Sequence, residues 1–589
     1  MRPGATRLRI TIVVLLVAVI MLAFILKLID IQVIRADALN KDSAGKMSSS
    51  QTLFGTRGTI TDRNGTTLAT AEMRYNITAS PSQAKNSFER TVDGKKISIS
   101  TTQAATEIAQ YTGQTPNQII DILNAALTEN AQSDYAILAK SVDLTAYRAI
   151  NKLEIPWVYF EQAPSRVYPN GAVAGNLVGF VGQDGTPLAG LEVAQNECVG
   201  AVNGEQISDR SANDGITIPG SSVVSKPGKN GGTLKLTIDS DLQWYVQQSL
   251  AKQVQSQHGS WGIAVVMEVK TGKLVAVADY PSIDPNNIDG TAEKFRGSLA
   301  FSAPYEPGST MKPLTAAMLL DQGKVTPATK VNSPTHIKYP NGAAFKDSGA
   351  HASNLTFAGV IVESSNVGVS KVASRLPTAM RFDYMKKFGL GSTTSVDFPG
   401  ESAGIVHPYQ DWDPQSYYTT MFGQAFTATA IQMASAYQTL GNKGVKLPVS
   451  LVESCTKPDG TVVTPQKSDG VRVVSEQAAR TTVDLMENVA TKGYLRDKVR
   501  IPGYRVAEKT GTAQQSNGQG SYSSKYIVSV EGLIPAQDPQ YVVLTTMADA
   551  DLNSTFAVAP IFHDICVQVL KQYRIQPYTR NAPNFATTY

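Results

Sequence analysis

The stretch Tyr305-Glu-Pro-Gly-Ser309-Thr-Met-Lys312-Pro-Leu-Thr-Ala-Ala-Met-Leu-Leu320 decides how this 589-residue chain is read. A Gly-Ser step leads into a strongly apolar run, which predicts a helix with Ser309 at its N-terminus. There the unpaired backbone N–H groups and the helix dipole favour negative charge. Lys312 follows one turn later, so both side chains emerge on the same face. Pro313 is tolerated because first-turn N–H groups have no intrahelical partner. A serine hydroxyl needs a base to take its proton, and a lysine serves only when neutral. Burial or a second nearby cation lowers its pKa enough. The spacing alone proves little, because Ser43–Lys46 and Ser82–Lys85 share it in polar segments without the apolar helix.

An ordered set raises the specificity. After Ser309 and Lys312 comes Ser364-Ser365-Asn366, between the apolar Val360-Ile361-Val362 and Val367–Val372. Lys509-Thr510-Gly511-Thr512 then follows Tyr504-Arg-Val-Ala. Decoys exist at Ser211-Ala-Asn213 and Lys270-Thr-Gly272, but neither follows Ser309 in the chain. The second decoy sits where a hairpin turn is expected between strands Ile263–Val269 and Leu274–Ala278.

In this order the three motifs resemble those of penicillin-binding proteins and serine β-lactamases. Resemblance to the class B, monofunctional transpeptidase branch runs from Arg57 to Pro577. It is carried by Arg57-Gly-Thr-Ile-Thr-Asp-Arg63-Asn-Gly65, Arg166-Val-Tyr-Pro169, Gly179-Phe-Val-Gly182 and Gly190-Leu-Glu192. Farther along, Phe388-Gly-Leu390, Phe398-Pro-Gly-Glu401 and Thr429-Ala-Ile-Gln432 also match. Two positions depart from the pattern: Ala425 where glycine is usual, and Glu531 where a small or aromatic residue is common. Both read as tolerated drift on an edge, either able to alter β-lactam affinity.

The resemblance implies a D-Ala-D-Ala stem-peptide substrate and a Ser309 acyl-enzyme. Lys312 is then the general base and Ser364 the proton relay to the leaving amine. Asn366 holds Lys312 and the substrate amide, and Lys509 keeps Lys312 neutral and attracts the substrate carboxylate. The Thr510 and Thr512 hydroxyls bind that carboxylate around Gly511, and the N–H groups of Ser309 and Thr512 form the oxyanion hole. Donor and acceptor stem peptides are the implied partners, with β-lactams as covalent ligands. A hydrolase of the class A β-lactamase kind needs a further glutamate. No E-x-x-L-N segment supplies one between Asn366 and Lys509. A carboxypeptidase, a penicillin sensor and a side-wall rather than septal transpeptidase are the other readings. The Arg57–Gly65 and Arg166–Gly182 stretches lean to the division type. Residues 57–230 lack the size and acidic motif of a glycosyltransferase module. A multi-pass membrane glycosyltransferase and other divisome proteins are therefore expected partners.

Charge and hydropathy place the chain. The net charge is +4, but the first 60 residues hold eight basic and three acidic side chains. The rest is near neutral, which argues against a nucleic-acid-binding face. From Ile10 to Leu26 the only polar side chain is Thr11, flanked by Arg2, Arg7, Arg9 and Lys27. This reads as an uncleaved signal anchor, with its basic side in the bacterial cytoplasm and the catalytic part exported. Cys198, Cys455 and Cys566 are odd in number and far apart, so no disulfide framework is legible, and they read as buried thiols. The five histidines show no metal-site spacing, and neither metal nor cofactor is expected.

The expected fold is α+β: a transmembrane helix, an elongated mixed α/β pedestal, and a transpeptidase domain with an antiparallel sheet flanked by helices. The expected boundaries are a cytoplasmic tail 1–9, anchor 10–29, stalk 30–56, pedestal 57–225, transpeptidase domain 226–579 and tail 580–589. Within them, an Asn64-Gly65 hairpin, helices over 100–155, a linker at 220–232, strands from Val445 through Thr546 and a closing helix Ala559–Tyr573 are predicted. The polar loop Gln514–Ser524 is expected beside the cleft.

Overall fold

The computed structural model describes residues 3–36, 48–92, 94–182, 184–209, 218, 220–466, 468–516, 522–578 and 580–589. The Ser43–Lys46 and Ser211–Asn213 decoys, much of the expected stalk and the centre of the Gln514–Ser524 loop lie outside them. The chain forms two compact units, Met1–Thr56 with Ala201–Asn230, and Arg57–Gly200 with Gly231–Tyr589.

In the first unit, the helix Pro3–Ile29 continues into a π-helical turn, Asp30–Ile34. Among the described residues, one helical stretch, Leu8–Ile34, is long and apolar enough to cross a membrane. At 1.5 Å per residue it reaches about 40 Å, more than the hydrocarbon core requires. Strands Ser48–Leu53, Gly204–Asp209 and Val223–Lys226 form an antiparallel sheet. The glycine-rich 220–232 stretch thus carries a strand where a linker was expected.

The second unit is built on two sheets. The larger runs Val462–Val463, Val452–Thr456, Thr233–Leu236, Ile60–Thr61, Thr67–Ala79, Ala136–Val142, and Val158–Val167 also pairs with Thr67–Ala79. Its Ile60–Thr61 strand turns back through Asn64-Gly65, with Asp62 accepting hydrogen bonds from the Asn64 and Thr66 N–H groups at 2.8 Å. Thr233–Leu236 pairs in parallel with Ile60–Thr61 and antiparallel with Val452–Thr456. Pedestal and catalytic segments therefore share one sheet. Helices Thr101–Thr112 and Pro116–Glu129 start at capping boxes, Ser100 with Gln103 and Thr115 with Gln118.

The second sheet is antiparallel, in the order Leu274–Tyr280, Trp261–Glu268, Tyr541–Ala548, Tyr522–Ile534, Ala507–Ser516. Alternation gives it two buried faces. Ala264, Val266, Val530 and Val543 pack with helices Ser240–Ser256 and Ala559–Gln572. Ile263, Val265, Val542 and Leu544 pack with helices Lys312–Asp321 and Ala430–Gly441. Ala507–Ser516 is left as the edge strand beside them. The 17-residue helix Glu476–Lys492 interrupts the region expected to be strands. Ser475 caps it, and Ala479, Val483, Met486 and Ala490 line its buried side at helical spacing.

The cysteine expectation is corrected. Cys198 and Cys455 form a disulfide across 257 residues, and only Cys566 is a free buried thiol. The shared sheet brings the pair together, which no local pattern announces. Nearby, Glu192 is fully buried and ties the pedestal signatures to one another. Its carboxylate accepts from Arg57 at 2.7 Å, Arg166 at 2.6 Å and the Tyr168 hydroxyl at 3.3 Å. Arg166 also donates to the Gly58 carbonyl at 2.5 Å. Glu192→Ala leaves two largely buried guanidinium groups facing each other. It is expected to cost about 3–5 kcal/mol, read as a lowered denaturation midpoint of the full chain in detergent.

Candidate active site

Ser309 stands in a tight helical turn, Gly308–Met311, that runs directly into the helix Lys312–Asp321. Two glycines let the edge strand lie against this turn. Gly308 has φ +58°, and a Cβ there would come within 3.1 Å of the Thr512 carbonyl oxygen. A Cβ on Gly511 would lie 2.9 Å from the Thr310 side chain and 3.0 Å from the Pro307 carbonyl oxygen. Any larger residue at either position pushes strand and turn apart. The Tyr437 hydroxyl fixes the turn from beneath by donating to the Thr310 carbonyl at 2.8 Å.

Lys312 is fully buried. Its side-chain nitrogen donates to the Ser364 hydroxyl at 3.1 Å and to the Ser364 carbonyl. Burial and the charge of Lys509 hold its pKa well below the usual lysine value, while Asp347 pulls the other way. Among the described residues, no side chain hydrogen-bonds to the Ser309 hydroxyl, which is half-buried. Such contacts often tighten only when substrate binds.

Ser364 ends the helix Phe357–Val362 in a left-handed conformation, φ +55°, and Ser365 caps the helix Asn366–Ala373. That strained residue aims its hydroxyl at Lys312. Asn366 departs from expectation: its side-chain amide donates to the Lys346 carbonyl at 3.2 Å, and among the described residues it makes no hydrogen bond to Lys312.

Lys509, on the edge strand, is fully buried, and its nitrogen reaches the Thr510 hydroxyl at 3.1 Å. Burial lowers its pKa, opposed by the charge of Glu508. Thr510 is therefore engaged with Lys509, whereas Thr512 is exposed. The structure gathers Ser309, Lys312, Ser364, Lys509, Gly511 and Thr512 around the turn Gly308–Met311. The Ser82–Lys85 decoy instead lies on the surface, with Ser82 bonded to Asp134 and Lys85 to the Ala131 carbonyl. Thr271 of the other decoy bonds to Glu268 within its hairpin turn.

Two acidic residues at the site were not singled out in the sequence. Glu306, three residues before Ser309, accepts from the Ala425 N–H at 2.8 Å and the Tyr522 hydroxyl at 3.0 Å. It joins the Ser309 segment to the strand Tyr522–Ile534, and its place beside Ser309 is the available signal. Asp347 receives the N–H groups of Asn366 and Val367, from a position 19 and 20 residues upstream that carries no local signal. Ala425 has φ +62°, the conformation that makes glycine usual there.

Glu531 is not on an edge. It is fully buried in the strand Tyr522–Ile534, opposite Lys509 in register, and neither carboxyl oxygen has a hydrogen-bond partner among the described residues. Burial pushes its pKa far up. Glu531→Val removes an unsatisfied polar group and is expected to stabilise the protein by about 1–3 kcal/mol, read as a higher melting temperature.

Known families and relatives match along the chain. The penicillin-binding protein transpeptidase domain matches residues 262–566, and the penicillin-binding protein dimerisation domain matches 52–216. Penicillin-binding protein PbpB of Mycolicibacterium smegmatis is 32% identical, with 92% of this chain and 87% of that protein covered. Peptidoglycan D,D-transpeptidase FtsI of Escherichia coli K12 is 32% identical over 93% of this chain and 89% of its own. A crystal structure of a peptidoglycan synthetase from Bifidobacterium adolescentis superposes with a TM-score of 0.71 at 30% identity, covering 92% of this chain and all of that one. Penicillin binding protein 3 of Mycobacterium tuberculosis, complexed with ampicillin, gives 0.69 at 25% identity, again with 92% and 100% covered. Since these matches extend through the pedestal as well as the catalytic sheet, the chain belongs to the class B penicillin-binding proteins, transpeptidases that carry a dimerisation domain ahead of the catalytic one.

Proposed function

We propose that this protein is a septal peptidoglycan D,D-transpeptidase that cross-links stem peptides through Ser309 and is acylated by penicillins at the same oxygen. The observation that carries the reading is a fully buried Lys312 in contact with Ser364, one turn from Ser309, with its charge disfavoured by burial and by Lys509. A lysine kept neutral in this way is able to act as a base at ordinary pH.

Ser309 Oγ attacks the penultimate D-Ala carbonyl carbon as its proton passes to Lys312. The oxyanion forms against the backbone N–H groups of Ser309 and Thr512, each donor worth roughly 3 kcal/mol in the transition state. Ser364 hands a proton to the departing amine as the C–N bond breaks, releasing the terminal D-Ala. Lys509 and the exposed Thr512 hydroxyl receive the substrate carboxylate, Thr510 steadies Lys509, and Gly511 lets the strand approach. Asn366 binds the substrate amide once its side chain turns from the Lys346 carbonyl. The amine of an acceptor stem peptide then attacks the ester and regenerates Ser309.

The Leu8–Ile34 helix supports a single-pass membrane protein with this chemistry outside the cytoplasm. A division-site location, the anchor–pedestal–transpeptidase boundaries at 10–29, 57–225 and 226–579, and a multi-pass glycosyltransferase partner belong to the same reading. A fluorescent fusion gathering at the septum, and co-purification of that partner lost on swapping residues 10–29, are its cellular tests. Uniform side-wall fluorescence overturns the septal role.

Fluorescent penicillin is expected to label the full chain in detergent, and Ser309→Ala to abolish labelling. Persistent labelling of that variant overturns the assignment of the nucleophile. The acylation rate is expected to reach its plateau at a pH well below an ordinary lysine's pKa and to fall on acidification through the lowered Lys312 pKa. A rate that climbs tenfold per pH unit up to about pH 10 would mean an ordinary lysine.

A further inference from the structure

Behind the second motif lies an ionisable pair that the steps above leave unused. The two oxygens of Asp347 take four donors. Oδ1 accepts the N–H groups of Asn366 at 2.6 Å and Val367 at 3.0 Å. Oδ2 accepts the Ser365 hydroxyl at 2.6 Å and His351 Nε2 at 2.7 Å. Ser365 thus spends its proton on Asp347, and Ser333, 2.7 Å away, donates to Ser365. Ser365 also caps the helix by accepting the Gly368 N–H at 2.8 Å. One carboxylate therefore fixes both residues that follow Ser364.

His351 is constrained more tightly still. Its Nδ1 faces the Ala352 carbonyl at 2.8 Å and its Nε2 faces Asp347, so both ring nitrogens meet acceptors. A neutral imidazole has one N–H and leaves one of these contacts lone pair to lone pair. Only the imidazolium satisfies both. The His351 and Asp347 side chains are 3% and 1% exposed.

The charge matters because Asp347 acts on Lys312. The charged groups acting on Lys312 are Lys509, which disfavours its proton, and Asp347, which favours it. Those facing His351 are Asp347 and, farther off, the exposed Glu363. An imidazolium on Asp347 offsets the carboxylate's pull on the Lys312 proton.

We propose that Asp347 and His351 are a positioning pair for the acylation step: the carboxylate fixes the turn that presents Ser364 to Lys312, and the imidazolium cancels a charge that would hold a proton on Lys312. The proposal rests on the reading of Ser309 and Lys312 given above. Burial works against the charged ring, but the Ala352 carbonyl and the Asp347 carboxylate outweigh it, and the His351 pKa lies above the usual value. With the folded pKa raised, the pair's contribution is complete at low pH and is lost as pH rises through that pKa.

The test is the rate of acylation of the full chain in detergent by a fluorescent penicillin, measured from pH 5 to 10 at several penicillin concentrations. The wild type is expected to show an acid limb from Lys312 and an alkaline fall from His351. His351→Gln keeps a donor for Asp347 and does not titrate, so it is expected to lose the alkaline fall. Asp347→Asn is expected to slow the maximal acylation rate at least tenfold, with the half-saturating concentration unchanged. An alkaline fall retained in H351Q, or a wild-type maximal rate in D347N, overturns the proposal. If a melting curve shows D347N unfolded, the H351Q profile decides alone. Ser309→Ala is run in parallel, since labelling there defeats the nucleophile assignment whatever the His351 result.

Discussion

An ammonium group without access to water is the constraint around which the catalytic half is arranged. Stripping a charge of its solvent costs several kcal/mol even after relaxation. Lys312 sits in such a place, in contact with Ser364 and with no ion pair to a carboxylate within 4 Å among the described residues. Burial works against the charged form of that amine. Lys509 reinforces this from the edge strand, itself buried and bonded to Thr510. A second cation and a dry site act in the same direction on the Lys312 proton.

Such a site requires three separate pieces of chain to meet at hydrogen-bond distances. The close approach of the nucleophile turn to the edge strand depends on Gly308 and Gly511, and the presentation of Ser364 depends on a left-handed residue held by the helix behind it. Farther away, the shared sheet and the Cys198–Cys455 bridge bind 57–200 to 231–589, and the Glu192 network ties the segments of 57–200 to one another. The pedestal is thus part of the same compact unit as the catalytic sheet. A pedestal signature such as Arg166-Val-Tyr-Pro169 makes physical sense only in this setting, since Arg166 and Tyr168 converge on one buried carboxylate.

Legibility in the sequence followed how local the physics is. The capped helices beginning at Thr101 and Pro116, the Asn64-Gly65 turn and the closing helix Ala559–Gln572 are specified by residues within a few positions of each other, and all were readable. The Glu476–Lys492 helix is masked in the sequence by its β-rich neighbours, although its own period of apolar residues is present. The two departures from the family pattern were visible as departures, but not their meaning. Ala425 is a backbone-conformation problem, and Glu531 is a buried acid in an inner strand.

By itself, the sequence determined the chemistry available: a serine and a lysine one turn apart, a later Ser-x-Asn, a later Lys-Thr-Gly, and an apolar run near the N-terminus. These are short-range or ordered patterns, and residue type alone expresses them. Tertiary structure decided what depends on distance across the chain and on access to water. It put Lys312 and Lys509 out of solvent, turned the Asn366 amide to Lys346, joined Cys198 to Cys455, and placed Asp347 under the second motif. The physical reason is that a pKa, a disulfide and a hydrogen bond between remote residues depend on neighbours that only the packed fold supplies.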